Sequence, residues 1–105
     1  RILSVFILLA LGNQGFSQTK TKVSGQVLDA LKSEPLIGAN VYWEGQVSSG
    51  TITDIDGSFS LESVTFPARL VISYLGYEKS IRVIQAKEAE KPMKFFLKPE
   101  ELSLQ

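Results

Sequence analysis

The chain has 105 residues, of which 44% are hydrophobic and 21% charged, and this length fits one small domain. Eleven basic residues balance eleven acidic ones, so no basic excess is available to neutralise phosphates, which argues against nucleic acid as a partner. Cysteine and histidine are both absent, which excludes disulfides, thiolate metal sites, and the usual general base, zinc ligand and pH switch.

The first predicted element is a secretory signal peptide over residues 1–17. Arg1 precedes an almost unbroken apolar run over residues 2–11, and small and polar residues follow. This order is typical of signal peptides, and the run is shorter than the ~20 residues that a transmembrane helix needs. The alternative is a buried core helix, but the run has neither an amphipathic stripe nor a helix cap. We therefore predict export with cleavage after Ser17, and no acyl anchor, because no cysteine follows the run.

The rest of the chain is predicted to form short strands, because apolar and polar residues alternate with a period of two. Turn residues separate the strands at intervals of about 8–12 residues, the spacing expected of an all-β sandwich. No long helix is predicted after the signal peptide, and residues 86–91 are predicted as a loop or one helical turn. The predicted strands cover residues 19–28, 38–44, 51–53, 58–61, 70–75, 77–84 and 93–97.

Two connections between these strands are predicted as tight turns. Residues 51–53 and 58–61 are predicted as the arms of one hairpin. Residues 70–75 are predicted as a central strand, because they are mostly apolar and rich in β-branched and aromatic residues. Gly76 would supply a positive φ in the turn to the next strand. Tyr74 and Tyr77 flank that turn and could bind a ligand, although cross-strand packing explains them better.

Asp54, Asp56 and Gly57 lie between the hairpin arms and allow two interpretations. Two carboxylates one residue apart before a glycine are similar to the start of a calcium loop, but such a loop needs six to eight oxygen ligands. The next acidic residue is Glu62, and both flanks alternate like strands instead of forming helices. We therefore interpret the segment as a turn, in which Asp54 accepts amide hydrogen bonds, Asp56 tolerates an unusual backbone angle and Gly57 supplies a positive φ.

Tyr42 and Trp43 are the candidate ligand contacts, since adjacent aromatic rings could form a platform for a sugar ring. A tryptophan beside alternating apolar residues more often belongs to the core, which is our interpretation of Trp43. The acidic pairs at residues 54/56 and 100/101 could suggest acid–base catalysis, but nothing in the sequence indicates a burial that would raise one pKa. We predict no catalytic, metal or cofactor residues.

Five segments follow one another along the chain: V-S-G-Q-V-L-D (23–29), E-P-L-I-G-A-N-V (34–41), G-T-I-T-D-I-D-G-S-F-S-L (50–61), V-I-S-Y-L-G-Y (71–77) and F-F-L-K-P (95–99). In this order they resemble the carboxypeptidase-regulatory-like domain, a small transthyretin-like β-sandwich. The resemblance covers residues 22–99. Among proteins with this domain, it is most similar to the N-terminal extension of SusC-type TonB-dependent outer-membrane transporters.

The resemblance implies a seven-stranded Greek-key sandwich over residues 18–99. It also implies a non-catalytic accessory domain, acting as a spacer or docking module on the periplasmic side of the outer membrane. Residues 100–105 would begin a linker towards a TonB-box-like segment. The implied partners are the plug and barrel of the same transporter, which would supply the membrane association, and a periplasmic energy-coupling protein. The alternative is an exported glycan- or protein-binding module of another multidomain protein.

Overall fold

The computed structural model describes residues 20–63 and 65–101, which form seven strands in two sheets. The fold is therefore all-β, as the alternation of residues predicted. The predicted signal peptide, residues 1–17, and residues 102–105 of the predicted linker lie outside the described residues. The strands are β1 (Thr21–Asp29), β2 (Asn40–Trp43), β3 (Thr51–Ile52), β4 (Ser58–Ser63), β5 (Ala68–Ser73), β6 (Ser80–Ile84) and β7 (Met93–Leu97).

Strand β1 shows how the alternation of residue types becomes a strand with one fully buried face. Val23 and Val27 are completely buried on that face, and Gly25 lies between them. A Cβ atom at Gly25 would lie 2.8 Å from the Phe95 ring and 3.0 Å from the Phe59 ring. Glycine therefore leaves room for two aromatic rings, whose centroids are 5.7 Å apart, to meet across β1.

The strands form a three-stranded sheet in the order β4-β1-β7 and a four-stranded sheet in the order β3-β2-β5-β6. β1 and β7 run parallel, and the other ladders are antiparallel. β5 lies between β2 and β6, which agrees with the prediction of a central strand at this point in the sequence. β6 is its antiparallel partner, but it begins at Ser80 instead of residue 77.

The two arms of the predicted hairpin belong to different sheets, so that prediction is wrong. β3 pairs with β2 in the four-stranded sheet, whereas β4 pairs with β1 in the three-stranded sheet. The β1–β4 ladder extends from Thr21↔Ser63 to Gln26↔Ser58, while β3 has only two residues. Pairing with the two-residue β3 would give β4 fewer hydrogen bonds than its longer ladder with β1. The connection between β3 and β4 therefore crosses from one sheet to the other.

The core lies between the two sheets and contains residues from six of the strands. Each fully buried aliphatic side chain contributes about 1.5–3 kcal/mol relative to an exposed one. The alternation predicted Phe95 and Leu97 as inward-facing and Lys94 as outward-facing, and the structure confirms all three. The largest completely buried side chains are those of Leu70, Ile72, Ile84, Leu97, Val23, Val27 and Val41.

The parallel pairing of β1 and β7 places the two ends of the domain at opposite ends of the three-stranded sheet. The chain enters β1 at Thr21, beside the end of β4. It leaves β7 at Leu97, which is in register with Asp29 at the far end of β1. Nine strand residues span about 25–30 Å. We call the end of the sandwich around Asp29 and Leu97 the exit end.

Helical structure in the described residues is confined to two short 3₁₀ turns, Val47–Ser49 and Glu88–Glu90. The second lies where one helical turn was predicted, and it buries Ala89 against the core. Its Glu88 carboxylate accepts a hydrogen bond from the Gln85 amide at 2.9 Å. Within residues 20–63 and 65–101, no helix combines the length and the apolar character needed to cross a membrane.

Candidate functional site

The segment from Asp54 to Gly57 forms a turn whose carboxylate serves its own backbone. Asp54 Oδ1 accepts hydrogen bonds from the amides of Asp56 and Ser58, each at 2.9 Å. The Gly57 amide donates to the Asp54 carbonyl at 2.9 Å, and the Asp54 amide donates to the Ser58 carbonyl at 3.0 Å. This is the arrangement that the turn interpretation requires, in which a side chain replaces backbone acceptors.

The same turn is fastened to β1. Gly57 has a φ of +75°, and its carbonyl accepts a hydrogen bond from the Val27 amide at 2.7 Å. Gln26 Nε2 donates to the Asp56 carbonyl at 2.8 Å. The positive φ falls on Gly57, and Asp56 is not among the residues with positive φ. In the part of the chain that the structure describes, no group of three or more histidine, cysteine, aspartate or glutamate residues could hold a metal ion.

Tyr42 and Trp43 lie on opposite faces of the four-stranded sheet. Trp43 is 4% exposed, its ring meets Phe66 edge-on at 6.3 Å, and it belongs to the core as predicted. Its Nε1 donates to the Glu62 carbonyl on β4 at 2.9 Å, which ties the two sheets together. Tyr42 is half-buried on the outer face, where it lines a shallow groove with Asn40 and other residues. The two rings therefore do not form one platform, and a ligand contact at Tyr42 stays a prediction.

Gly76 lies in the turn after β5 with a φ of +88°, the backbone angle expected there. The Tyr77 amide donates to the Tyr74 carbonyl at 3.0 Å, and the two rings pack with centroids 5.6 Å apart. Residues 76–78 also hold the chain as it leaves the domain. The backbone amide of Glu78 donates to the Lys98 carbonyl at 2.8 Å, and the backbone amide of Glu100 donates to the Gly76 carbonyl at 2.9 Å.

The exit end contains a polar contact that the sequence analysis missed. Asp29 is 5% exposed at the end of β1. Its Oδ1 accepts hydrogen bonds from the amides of Leu31 at 2.7 Å and Lys32 at 2.8 Å. Its Oδ2 accepts a hydrogen bond from the Tyr77 hydroxyl at 2.6 Å. One carboxylate thus joins β1, the turn after it and the segment that holds the exiting chain.

The bond between Asp29 and Tyr77 shifts the pKa values of both groups. The Tyr77 hydroxyl, followed by the turn amides of Lys32 and Leu31 and the Lys32 charge, holds the pKa of Asp29 below its usual 3.8, against the opposing effect of burial. The same bond, together with burial and the nearby negative charge, raises the pKa of Tyr77 above its usual 10.0. Both shifts favour the pair of a charged carboxylate and a neutral phenol.

We expect stability to fall at both ends of the pH scale through this pair. The folded pKa of Asp29 lies below its unfolded value, so its contribution is present above pH ~3.8 and is lost as pH falls through the folded pKa. The folded pKa of Tyr77 is raised, so its contribution is present below pH ~10 and is lost as pH rises through the folded pKa. Tyr77→Phe should remove the loss of stability that this pair causes at alkaline pH and should weaken the loss at acid pH. The midpoint of urea unfolding, measured across the pH range, reports both changes.

Tyr74→Phe is the matched control for that experiment, since its ring packs against Tyr77 while the hydroxyl bonded to Asp29 belongs to Tyr77. It should keep the acid loss and most of the alkaline one, because the Tyr74 charge is a smaller cause of the raised pKa of Tyr77 than its bond to Asp29. Equal curves for Tyr77→Phe and the wild type above pH ~10 would contradict a contribution from this bond.

A local signal for Asp29 was present in the sequence. Asp29 ends an alternating strand and is followed by the turn residues 30–35, the position from which an aspartate accepts amides two and three residues on. Its second partner is 48 residues away along the chain. No local pattern could identify Tyr77 as that partner.

Together, these features define a small all-β module of two facing sheets whose buried polar side chains serve turns and contacts between the sheets. The CarboxypepD_reg-like domain family matches residues 23–105 of the sequence. The chain belongs to this family, as the five sequence segments indicated.

Two curated relatives are similar in sequence to part of this chain. The TonB-dependent receptor SusC of Bacteroides thetaiotaomicron is 43% identical over 68 residues, which cover 65% of this chain and 6% of that receptor. The TonB-dependent receptor P39 of Formosa agariphila is 36% identical over 76 residues, which cover 70% of this chain and 7% of that receptor. The matched part of the chain therefore spans less than a tenth of either relative's length.

A solved structure shares the fold. The 3-chlorocatechol 1,2-dioxygenase of Rhodococcus opacus 1CP matches 83% of this chain and 62% of that chain, with a TM-score of 0.57. The sequence identity is only 16%, so the likeness concerns the fold alone. Function depends on the residues of a site, and a shared fold does not transfer the reaction of the dioxygenase.

Proposed function

We propose that this chain is the non-catalytic N-terminal accessory domain of a TonB-dependent outer-membrane transporter, in which it acts as a periplasmic spacer and docking module. The observation that carries the proposal is the match to two TonB-dependent receptors over 6–7% of their length. A segment so small relative to the whole receptor suits an appended domain. The transported nutrient would then be handled elsewhere in the transporter.

The paths of entry and exit support the spacer role. β1 and β7 run parallel side by side, so the chain enters at one end of the sandwich and leaves at the other. The domain would hold the neighbouring parts of the transporter about 25–30 Å apart. The contact between Asp29 and Tyr77 and the pairing of residues 76–78 with residues 98–100 would hold the direction of the outgoing chain.

The finer parts of the proposal derive from the family resemblance. The sandwich is proposed to have Greek-key topology of the transthyretin type, and residues 1–17 to direct export and be removed. The plug and barrel of the same transporter and a periplasmic energy-coupling protein are the proposed partners. Membrane association would come from those parts, and the domain would bind neither a cofactor nor nucleic acid.

A second candidate function is an exported module that binds glycans or proteins. The observation in its favour is the shallow groove on the outer face of the four-stranded sheet, where the half-buried Tyr42 lies beside Asn40, Ile52 and Ser73. An aromatic ring beside polar groups is a common element of sugar sites. Saturable binding of oligosaccharides that Tyr42→Ala abolishes would favour this function over the first.

Deletion of residues 20–99 from the complete gene tests the proposal. A knockout of the whole gene first identifies a nutrient on which growth fails. We expect the deletion protein to reach the outer membrane at the normal level and to lose most uptake of that nutrient, because the domain positions the coupling machinery without forming the pore. Normal uptake by the deletion protein would contradict an accessory role in transport.

A replacement separates the two parts of the proposed role. An unrelated β-sandwich of similar length can be inserted in place of residues 20–99. Restored uptake would mean that spacing is sufficient, whereas continued loss would mean that a surface of this domain binds a partner. Either result is consistent with the accessory role.

A further inference from the structure

Strand β6 forms one edge of the four-stranded sheet. β5 pairs with it on one side. Among residues 20–63 and 65–101, no backbone hydrogen bond joins Ser80–Ile84 to a strand other than β5. Ile81 and Val83 on this edge are 48% and 43% exposed. An edge strand with unpaired backbone groups and exposed β-branched side chains can accept a further strand.

The other sheet edges are less suited to accept a strand. β3 has two residues, which is too short for a ladder. β4 exposes Ser60 and Glu62, so it offers polar side chains to a partner. The edge at β7 is partly occupied, because Arg82 Nη1 donates to the Lys94 carbonyl at 3.4 Å. β6 is therefore the best-suited edge among the described strands.

The side of the sandwich that contains β6 is basic, although the whole chain has no net charge. β6, the Glu88–Glu90 turn and β7 form this side and converge at Arg82. Residues 79–98 contain Lys79, Arg82, Lys87, Lys91, Lys94 and Lys98, against Glu88 and Glu90 as the acidic residues. Glu78, Glu100 and Glu101 border this stretch, and the other six acidic residues lie on the earlier strands and turns. A partner with negative charge would be attracted to this side.

Arg82 distinguishes between possible partner strands. Its guanidinium carbon lies 4.9 Å from the centroid of the Phe95 ring, and its Nη2 lies 3.6 Å from Glu88 Oε2. These contacts hold the guanidinium at the middle of the edge strand, where Glu88 balances part of its charge. Like charges opposite one another destabilise a strand pair, so two β6 strands with Arg82 facing Arg82 would repel each other. The charge disfavours a second copy of this chain and favours an acidic strand.

The outer face beside β6 offers an apolar strip for the partner's side chains. Tyr42, Val71 and Ile81 are in register across β2, β5 and β6. Val71 is only 3% exposed, although it does not belong to the core between the sheets. Its neighbours on the outer face therefore cover it. An added strand would place alternate side chains next to Ile81 and Val83 and would extend this strip.

We propose that the β6 edge binds an extended acidic peptide segment of a partner protein, with apolar residues at alternate positions, as a fifth strand of the sheet. The proposal deepens the docking role and rests on the proposed function. Main-chain hydrogen bonds would supply affinity, and the apolar strip and the basic side would supply specificity.

Synthetic peptides test the edge directly. The probe is a dye-labelled Glu-Val-Glu-Val-Glu-Val-Glu peptide, and its binding to the purified chain is measured by fluorescence anisotropy. The same peptide with lysine for glutamate, and one with a central proline, are the controls. We expect saturable binding of the acidic peptide, and at least about ten-fold weaker binding of each control. Amide hydrogen exchange should slow at Ser80–Ile84 when the acidic peptide binds.

Substitutions on the two edges of the same sheet provide the matched comparison. Val83→Glu should weaken binding of the acidic peptide by about ten-fold or more, because it replaces an apolar contact of the new strand with a charged side chain and makes this side less positive. Val83→Thr should change binding by less than about three-fold, since threonine keeps the β-branched shape. Ile52→Glu on β3, where Ile52 is 62% exposed, should leave binding unchanged.

Several results would overturn the proposal. One is equal binding of the acidic and basic peptides, and another is slowed exchange at β3 or β4 instead of β6. A third is binding to vesicles of anionic lipid without binding to the acidic peptide, which would point to a membrane surface. Any of these would leave the accessory role intact, because the deletion of residues 20–99 tests that role separately.

Discussion

Gly57→Ala should destabilise the domain by about 2–5 kcal/mol, a large part of the stability expected of a domain this small. Gly57 has a φ of +75°, which costs an L-residue about 1–2 kcal/mol. A Cβ atom there would also lie 2.6 Å from the Val27 carbonyl oxygen. Relieving that contact means moving the turn away from β1 and losing the hydrogen bond from Val27 to Gly57. Urea unfolding monitored by circular dichroism measures the loss.

Gly76→Ala is the matched control. Gly76 has a φ of +88°, but an added Cβ atom would meet nothing within 4 Å. Its cost should be limited to the backbone strain, about 1–2 kcal/mol. The difference between the two variants then isolates the contact of the Asp54–Gly57 turn with β1. Equal costs for the two variants would show that this contact adds nothing.

Trp43→Ala should cost about 3–5 kcal/mol, because it removes a large buried ring and leaves a cavity. The ring lies between the sheets, and its N–H bond to the Glu62 carbonyl crosses from β2 to β4. Trp43→Phe should cost less, about 1–3 kcal/mol, since the ring is mostly replaced and the hydrogen bond is lost. Thermal and urea unfolding measure both values.

Fluorescence of the same tryptophan tests its place in the core. Trp43 is the single tryptophan of the chain and is 4% exposed, so its fluorescence emission should be blue-shifted. Tyr42→Ala on the outer face should cost only roughly 1 kcal/mol. A stability loss for Trp43→Ala no larger than that for Tyr42→Ala would contradict its place in the core.

The alternation of residues predicted much of the fold. It is a local property, and period two is preserved wherever one face of a strand is buried. β7 appears at Met93–Leu97 as predicted, and β5 is central as its apolar run indicated. Strand ends were less accurate: β6 begins three residues later than predicted, because residues 77–79 lie outside the β5–β6 ladder.

Pairing between strands could not be predicted in the same way. Residues 51–53 and 58–61 look like hairpin arms because a turn joins them. The partner of β4 is decided by the longer ladder with β1, from Thr21↔Ser63 to Gln26↔Ser58. That ladder joins residues about 30–40 positions apart in the sequence. Local turn chemistry identified the turn at Asp54, but not the sheets on either side.

The candidate sites show the same division between local and distant information. The carboxylate of Asp54 bonds within its own turn, which the sequence indicated. One oxygen of the Asp29 carboxylate accepts its hydrogen bond from the distant Tyr77. The basic side around Arg82 likewise depends on the contact between β6 and β7. The cluster of basic residues at 79–98 was visible in the sequence. Its position on one side of a sandwich required the fold.

Cysteine labelling of the complete protein in its host tests the proposed periplasmic position most directly. Leu75 is 96% exposed at the turn after β5, so Leu75→Cys adds an accessible thiol to a domain that has no cysteine, and the complete protein without this substitution is the control for thiols elsewhere. We expect a large, membrane-impermeant maleimide to leave Leu75→Cys unlabelled in intact cells and to label it once the outer membrane alone is permeabilised. Labelling in intact cells, or only after the inner membrane is broken, would contradict a domain on the periplasmic side of the outer membrane.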